Sequence, residues 1–212
     1  MMNGQTPTVF LIDDDPSVQR GLSRLIRVAG FNVKAFASAG DFLASPHYDG
    51  PGGIVLDVKM PGLSGPDLQV EMNKAEYSMP IIFISGHGDV PTTAQAMKEG
   101  ALDFLTKPVD REHLLNAIRT ALDKDRASRE GHAEFEQIRA KLAKLTPREF
   151  EVMRFVVAGL LNKQIAYELG ITEDTVKIHR GRMMSKMDVV SVADLVRLTQ
   201  KAGVEPADPG IK

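Results

Sequence analysis

The sequence predicts two domains, an α/β domain built on a doubly wound, five-stranded parallel sheet and then an all-α domain of four helices. Three observations carry this prediction. Over about the first 125 residues, short apolar runs alternate with helical repeats, the pattern of a parallel sheet covered on both faces. From Leu145 onward every apolar repeat has helical spacing. A chain of 212 residues exceeds a typical small domain and fits two ordinary cores.

The elements follow in order. Val9–Ile12 is an apolar run ending in three aspartates. Asp15 can cap the helix that follows, with Pro16 at its first position and Val18, Leu22, Leu25, Ile26 and Ala29 at helical spacing. Further strands are expected near Asn32–Phe36, Gly53–Leu56, Ile81–Ile84 and Asp103–Leu105, with helices near Gly40–Leu43, Pro66–Ala75, Thr92–Glu99 and Arg111–Leu122. This last helix has no clear stop. Phe135, Ile138, Leu142 and Leu145 recur beyond it at three- and four-residue spacing, so 124–142 reads as a helical linker with a candidate bend at Gly131. Its stripe suits either a dimer contact or a solvated spacer.

In the second domain, Thr146-Pro147-Arg148-Glu149 is a capping box with proline at the first helical position. Asn162 is expected to cap a short helix ending at Gly170 and Thr172 a third running to about Met187, and Ser191 starts a fourth. The resulting boundaries are 1–123, 124–142 and 143–205, with a tail over 206–212 expected to be disordered.

Composition narrows the function. The chain has 43% hydrophobic and 25% charged residues, as in soluble globular proteins. It has no cysteine, which excludes a disulfide framework, a thiolate metal site and a cysteine nucleophile, and agrees with a reducing cytoplasm. No apolar run in the sequence approaches the roughly 20 residues of a membrane span, and no membrane partner is expected. The net charge of −2 hides an asymmetry. Residues 1–126 carry 12 basic and 16 acidic residues, and residues 127–212 carry 14 and 12. Within 175–187, Lys177, Arg180, Arg182 and Lys186 occur without an acid, a pattern suited to phosphates.

In the first domain Asp13, Asp14, Asp57, Ser85 and Lys107 fall at strand ends, where ligands sit in open parallel sheets. Gathered carboxylates repel unless a cation neutralises them, and a hard, oxygen-ligated ion such as Mg²⁺ fits. An aspartate beside Mg²⁺ can act as nucleophile toward a phosphoryl group, while an ammonium (Lys107) and a hydroxyl (Ser85) balance charge on its oxygens. Taken singly, these residues also suit helix caps, a surface lysine and a turn serine; the functional reading rests on their co-occurrence at strand ends.

The segments LIDDD, VLDVKMPGLSG, FISGHGD and ALDFLTKP resemble the receiver domain of bacterial response regulators over about residues 7–123. The resemblance implies Asp57 as phosphoacceptor. It also implies Asp13, Asp14, Asp57 and the Lys59 backbone carbonyl as ligands of Mg²⁺ or Mn²⁺, Ser85 and Phe104 as switch residues, and Lys107 as the essential lysine, with a cis Lys107–Pro108 bond. Lys59 and His87 match the positions that tune phosphate lifetime. The implied partner is a sensor histidine kinase in a bacterial cytoplasm. The chain would be no enzyme beyond its own phosphoryl transfer and dephosphorylation.

At about 100° per residue, Val176, Met183 and Met187 share one face of the 172–187 helix. Opposite lie Ile178, Gly181, Arg182 and Ser185, flanked by Lys177, His179 and Lys186. An exposed isoleucine can touch a thymine methyl. Lys163, near the start of the preceding helix, suits a phosphate, and Thr172 and Thr175 at the N-terminus of the basic helix complete the expected contact set. The stretch LTPREFEVMRFVVAGLLNKQIAYELGITEDTVKIHRGRMMSKM resembles the NarL/LuxR-type helix-turn-helix over about 143–203, and the whole chain resembles a FixJ-type response regulator. In the NarL branch a base-reading lysine stands where this chain has Gly181. The resemblance implies promoter DNA, a homodimer on phosphorylation through a surface including Val90, Ala94 and Lys98, and contact with RNA polymerase.

Two rival readings differ in class. A haloacid-dehalogenase-like phosphatase would use Asp13-Asp14-Asp15, with Ser85 and Lys107 as its later motifs, but it needs a further acidic pair near a late strand that the sequence lacks. A constitutive DNA-binding protein with an inert receiver would not require the full set of phosphorylation-site groups.

Overall fold

The computed structural model describes residues 6–75, 77–86 and 90–208. They fall into two compact units, Met1–Arg129 and Glu130–Lys212.

The first unit is a five-stranded sheet in the order β2-β1-β3-β4-β5, with every pair parallel. Its strands are β1 (Thr8–Ile12), β2 (Asn32–Phe36), β3 (Gly52–Asp57), β4 (Ile81–Ser85) and β5 (Asp103–Thr106). The helices between them are α1 (Pro16–Val28), α2 (Ala39–Ala44), α3 (Gly65–Lys74) and α4 (Val90–Lys98), and α5 (Arg111–Leu142) follows β5. The central strands are buried on both faces, so alternate residues feed opposite cores. Phe10, Ile12, Ile54, Leu56 and Phe83 pack with Phe42, Leu68, Met72 and Ala96 of α2, α3 and α4. Val9, Leu11, Val55, Ile82 and Ile84 pack with Ile26 of α1 and Leu114, Ile118, Ala121 and Leu122 of α5. Strand order reverses between β1 and β3, so the carboxyl ends of β1, β3, β4 and β5 converge on one edge.

Asp15 caps α1 as expected, its side chain accepting from Ser17 and Val18 N–H, with Pro16 at the first position. The helix α5 is continuous through Gly131, where the sequence offered a bend; the segment contains no proline, and nothing interrupts the backbone ladder. Its middle is tied to the sheet. Asp125, with its side chain fully buried, accepts from Gly52 N–H at 2.9 Å and from Arg129 Nε at 2.7 Å, and Arg129 also donates to the Asp49 carbonyl at 2.9 Å.

The second unit contains α6 (Pro147–Val157), α7 (Asn162–Leu169), α8 (Glu173–Met187) and α9 (Val192–Lys201) around Val152, Met153, Val156, Ile165, Val176, Met183, Met187 and Leu195. Leu142 and Leu145 pack against this core, so part of the apolar stripe offered for dimer contact serves the unit itself. The capping box at Thr146 forms in both directions, and Thr172 and Ser191 cap α8 and α9. The start of α7 corrects the sequence reading. Asn162 is the first helical residue rather than the cap. Leu161 occupies the cap position, and the Gln164 side chain accepts from Leu161 N–H at 2.8 Å. Of the tail from 206, Ala207 N–H donates to the Arg154 carbonyl at 3.1 Å, and Arg154 donates to the Glu205 and Pro206 carbonyls; residues 209–212 lie outside the described residues. Among the described residues no helix is long and apolar enough to cross a membrane.

Candidate functional site

The converging strand ends bring Asp13, Asp57, Ser85 and Lys107 together. Asp57 ends β3 and Asp13 follows β1, and both are buried. Lys107 Nζ lies between them, 2.8 Å from Asp13 Oδ2 and 2.5 Å from Asp57 Oδ1. Backbone donors hold the other oxygens: Lys59 N–H donates to Asp57 Oδ2 at 2.7 Å, and Asp15 N–H to Asp13 Oδ1 at 2.9 Å. Burial pushes the Asp57 carboxyl above the usual carboxylate range, against the opposing pull of Lys107. Burial alone would lower the Lys107 ammonium, but its hydrogen bonds to Asp13 and Asp57 outweigh this and raise it. Lys107 is therefore charged throughout the physiological range.

Ser85 is buried at the end of β4, in register with Thr106, and its carbonyl accepts from Lys107 N–H at 2.7 Å. Phe104 is half-buried on β5, with its ring centroid 6.2 Å from that of Phe83. The Lys107–Pro108 peptide bond is cis. Asp14 and the Lys59 side chain are exposed, and His87 lies outside the described residues.

Two residues that sequence reasoning missed support the cluster. Gln19 Nε2 donates to the Asp13 carbonyl at 2.6 Å and the Phe36 carbonyl at 2.9 Å, joining α1 to the ends of β1 and β2. Gly65 passes so close to the end of β3 that a Cβ there would stand 2.3 Å from the Asp57 carbonyl oxygen. Only the glycine inside GLSGPD hinted at this; nothing local marked Gln19.

The cluster suits a hard divalent cation chemically. Two buried carboxylates share one ammonium, which leaves negative charge on oxygen donors. The described residues contain no ready-made group of three or more acidic or histidine ligands. Asp13 and Asp57 form the buried part of the set, with Asp14 beside them at the surface.

In the second unit, Val176, Met183 and Met187 of α8 are buried, and Ile178, Gly181, Arg182 and Ser185 are exposed, the two faces the periodicity predicts. Lys163 on α7 is exposed. The Thr172 and Thr175 hydroxyls hydrogen-bond each other at 2.8 Å within the cap of α8. His179 is half-buried, and its Nδ1 has no hydrogen-bond partner among the described residues. Lys177 pairs with Asp174 at 3.0 Å, and Lys186 with the buried Glu149 at 2.6 Å.

Known proteins share both units. Residues 9–119 match the response regulator receiver domain, and residues 143–199 match the luxR family of bacterial regulatory proteins. The chain is 46% identical over 196 residues to Nodulation protein W of Bradyrhizobium diazoefficiens, covering 92% of this chain and 86% of that one. It is 42% identical over 202 residues to the transcriptional regulatory protein FixJ of Azorhizobium caulinodans, covering 94% and 95%. Among solved structures, the response regulator StyR is 45% identical and superposes with a TM-score of 0.86 over 93% of this chain and all of that one. The carboxylate–lysine cluster at the sheet edge and the basic helix of the second unit are therefore parts of one architecture, and the chain belongs to the two-component response regulators that regulate transcription through a LuxR-type DNA-binding domain.

Proposed function

We propose that Asp57 accepts a phosphoryl group from a phosphohistidine of a sensor kinase, and that phosphorylation pairs two chains on promoter DNA. The observation that carries this reading is the position of Asp57, buried at a strand end with Lys107 Nζ at 2.5 Å and the Lys59 N–H at 2.7 Å. A carboxylate oxygen of Asp57 forms the new O–P bond as the histidine N–P bond breaks, and the leaving nitrogen keeps the electron pair. Lys107 is already placed and charged, so it balances the phosphoryl oxygens without reorganising. The Ser85 hydroxyl accompanies it at the end of the neighbouring strand. Asp13, Asp14, Asp57 and the Lys59 carbonyl would hold Mg²⁺ or Mn²⁺, which neutralises the gathered negative charge. The same residues carry the dephosphorylation of the chain, and no other enzymatic activity is assigned to it.

Phosphate draws Ser85 toward the site, and Phe104 repacks into the space it leaves, which shifts the population of the α4–β5 surface. That surface, with Val90, Ala94 and Lys98, forms the homodimer, and the paired second units bind promoter DNA through Lys163, Thr172, Thr175 and the exposed face of α8. RNA polymerase is the further partner, in a bacterial cytoplasm. Labelling with radioactive acetyl phosphate tests the chemistry. Wild type labels only with Mg²⁺ or Mn²⁺ present, Asp13→Asn labels poorly, and Asp57→Asn does not label. Undiminished labelling of Asp57→Asn rejects the assignment.

A further inference from the structure

The four cations of α8, Lys177, Arg180, Arg182 and Lys186, are not equivalent. Lys186 Nζ lies 2.6 Å from Oε2 of the buried Glu149, and the same oxygen accepts from Thr146 N–H at 2.9 Å in the cap of α6. Moving Lys186 onto DNA would strand a buried carboxylate. Arg180 Nη1 donates to Asn162 Oδ1 at 2.9 Å, which ties α8 to the first turn of α7. Lys177 sits between Asp174 at 3.0 Å and Glu173 at 3.9 Å. Arg182 is exposed and, alone among the four, has no hydrogen bond or ion pair among the described residues. It follows Gly181, where an added Cβ would meet nothing within 4 Å. The bare backbone there is not demanded by packing within the unit. One turn earlier stands Ile178, 53% exposed.

We infer that Arg182 is the base-reading cation of this protein and selects a guanine, whereas Arg180 and Lys186 position the recognition helix without touching DNA. The inference rests on the reading that the LuxR-type unit binds DNA through α8. A guanidinium presents a planar fork of donors that matches the O6 and N7 acceptors of guanine in the major groove, and that fork must be unoccupied to be used. The Arg182 fork is unoccupied, and Ile178 on the same face suits a neighbouring thymine methyl.

The test uses the full-length chain phosphorylated with acetyl phosphate and selects binders from random-sequence double-stranded oligonucleotides. Wild type enriches a sequence with a fixed guanine. Arg182→Ala loses that guanine while other positions persist, and its affinity for the wild-type sequence falls by about 5- to 150-fold with little change on random DNA. An unchanged selected sequence, or an equal loss on random DNA, overturns the role of Arg182. If wild type selects no sequence at all, the DNA-binding reading falls and the inference with it. Salt dependence separates the positioning cations. Lys163→Ala flattens the dependence by about one phosphate contact, whereas Lys186→Met leaves the slope unchanged even where affinity drops. The double variant Glu149→Gln, Lys186→Met, which leaves no unpaired charge, recovers affinity with the same slope. A slope reduced by one phosphate in either variant overturns the positioning role.

Discussion

At the scale of single residues, the proposed phosphoryl transfer sets opposed demands on Asp57. A nucleophilic carboxylate must be ionised, yet burial favours its neutral form, and its carboxyl is raised above the usual range even with Lys107 beside it. A raised folded-state value means that the stability this group contributes is fully present below its ordinary value of 3.8 and is lost as pH rises through the folded value. Asp57→Asn keeps the shape and removes the charge. In metal-free buffer at neutral pH it should raise the receiver melting temperature by a few degrees, with an advantage over wild type that shrinks as pH falls toward the ordinary carboxylate range. Thermal melts across pH measure this, and an advantage that grows at low pH would contradict it. Lys107→Met should do the reverse, because it leaves Asp13 and Asp57 facing each other in a buried site. A loss of about 3 kcal/mol is expected, partly restored by millimolar Mg²⁺, as chemical denaturation with and without the ion would report. These two residues were legible in the sequence because each ends a strand, where side chains of an open sheet converge. Gln19 was not, because its role depends on two carbonyls brought together only by the β1–β2 register.

At the scale of elements, the caps were the most legible features, because a cap is settled within four residues. Asp15, Thr146 and Thr172 serve as read, and Ser191, read as the start of its helix, is the cap. Asn162 misled because Ile165 N–H, three residues on, donates to the Leu161 carbonyl at 3.0 Å instead, while Gln164 reaches back to Leu161 N–H and the Asn162 side chain is engaged by Arg180. Two element-scale predictions follow from contacts that no local pattern reveals. Gly65→Ala places a Cβ against the Phe83 ring and the Asp57 carbonyl oxygen, and that backbone oxygen cannot yield without moving the end of β3. It should cost roughly 1–3 kcal/mol and slow acetyl phosphate labelling, whereas an unaltered labelling rate would show that α3 shifts instead. Asp125→Ala leaves the Gly52 N–H and Arg129 without their shared acceptor. A loss of roughly 1–3 kcal/mol is expected, with faster amide exchange concentrated in the middle of α5. Uniform exchange along the helix would show that the clasp does not hold it.

At the scale of the whole molecule, the cores are drawn from separate stretches of chain. The two sheet-face cores end at Leu122, and the third is built between Leu142 and Val204. A cut after Arg129 leaves all three intact, together with the Asp125–Arg129, Lys141–Asp188 and Lys201–Glu134 pairs. The fragment 130–212 should therefore fold alone and select the same bases as the full chain. Its affinity for one half-site should be modest, because a single short helix reaches few base edges. In the proposed function, phosphorylation of the full chain acts through pairing. Once one unit is bound, the second meets its half-site at an effective concentration in the millimolar range, which can raise overall affinity by about 10²- to 10⁴-fold without any new contact. The gain should appear on paired half-sites only. Fluorescence anisotropy with one and two half-sites, using phosphorylated and unphosphorylated chain, separates the possibilities. If phosphorylation tightens binding to a single half-site as much as to a pair, dimerisation is not the source of control, and the receiver acts by releasing a masked DNA-binding unit. If the fragment then binds a single half-site as tightly as the phosphorylated chain does, that masking is complete.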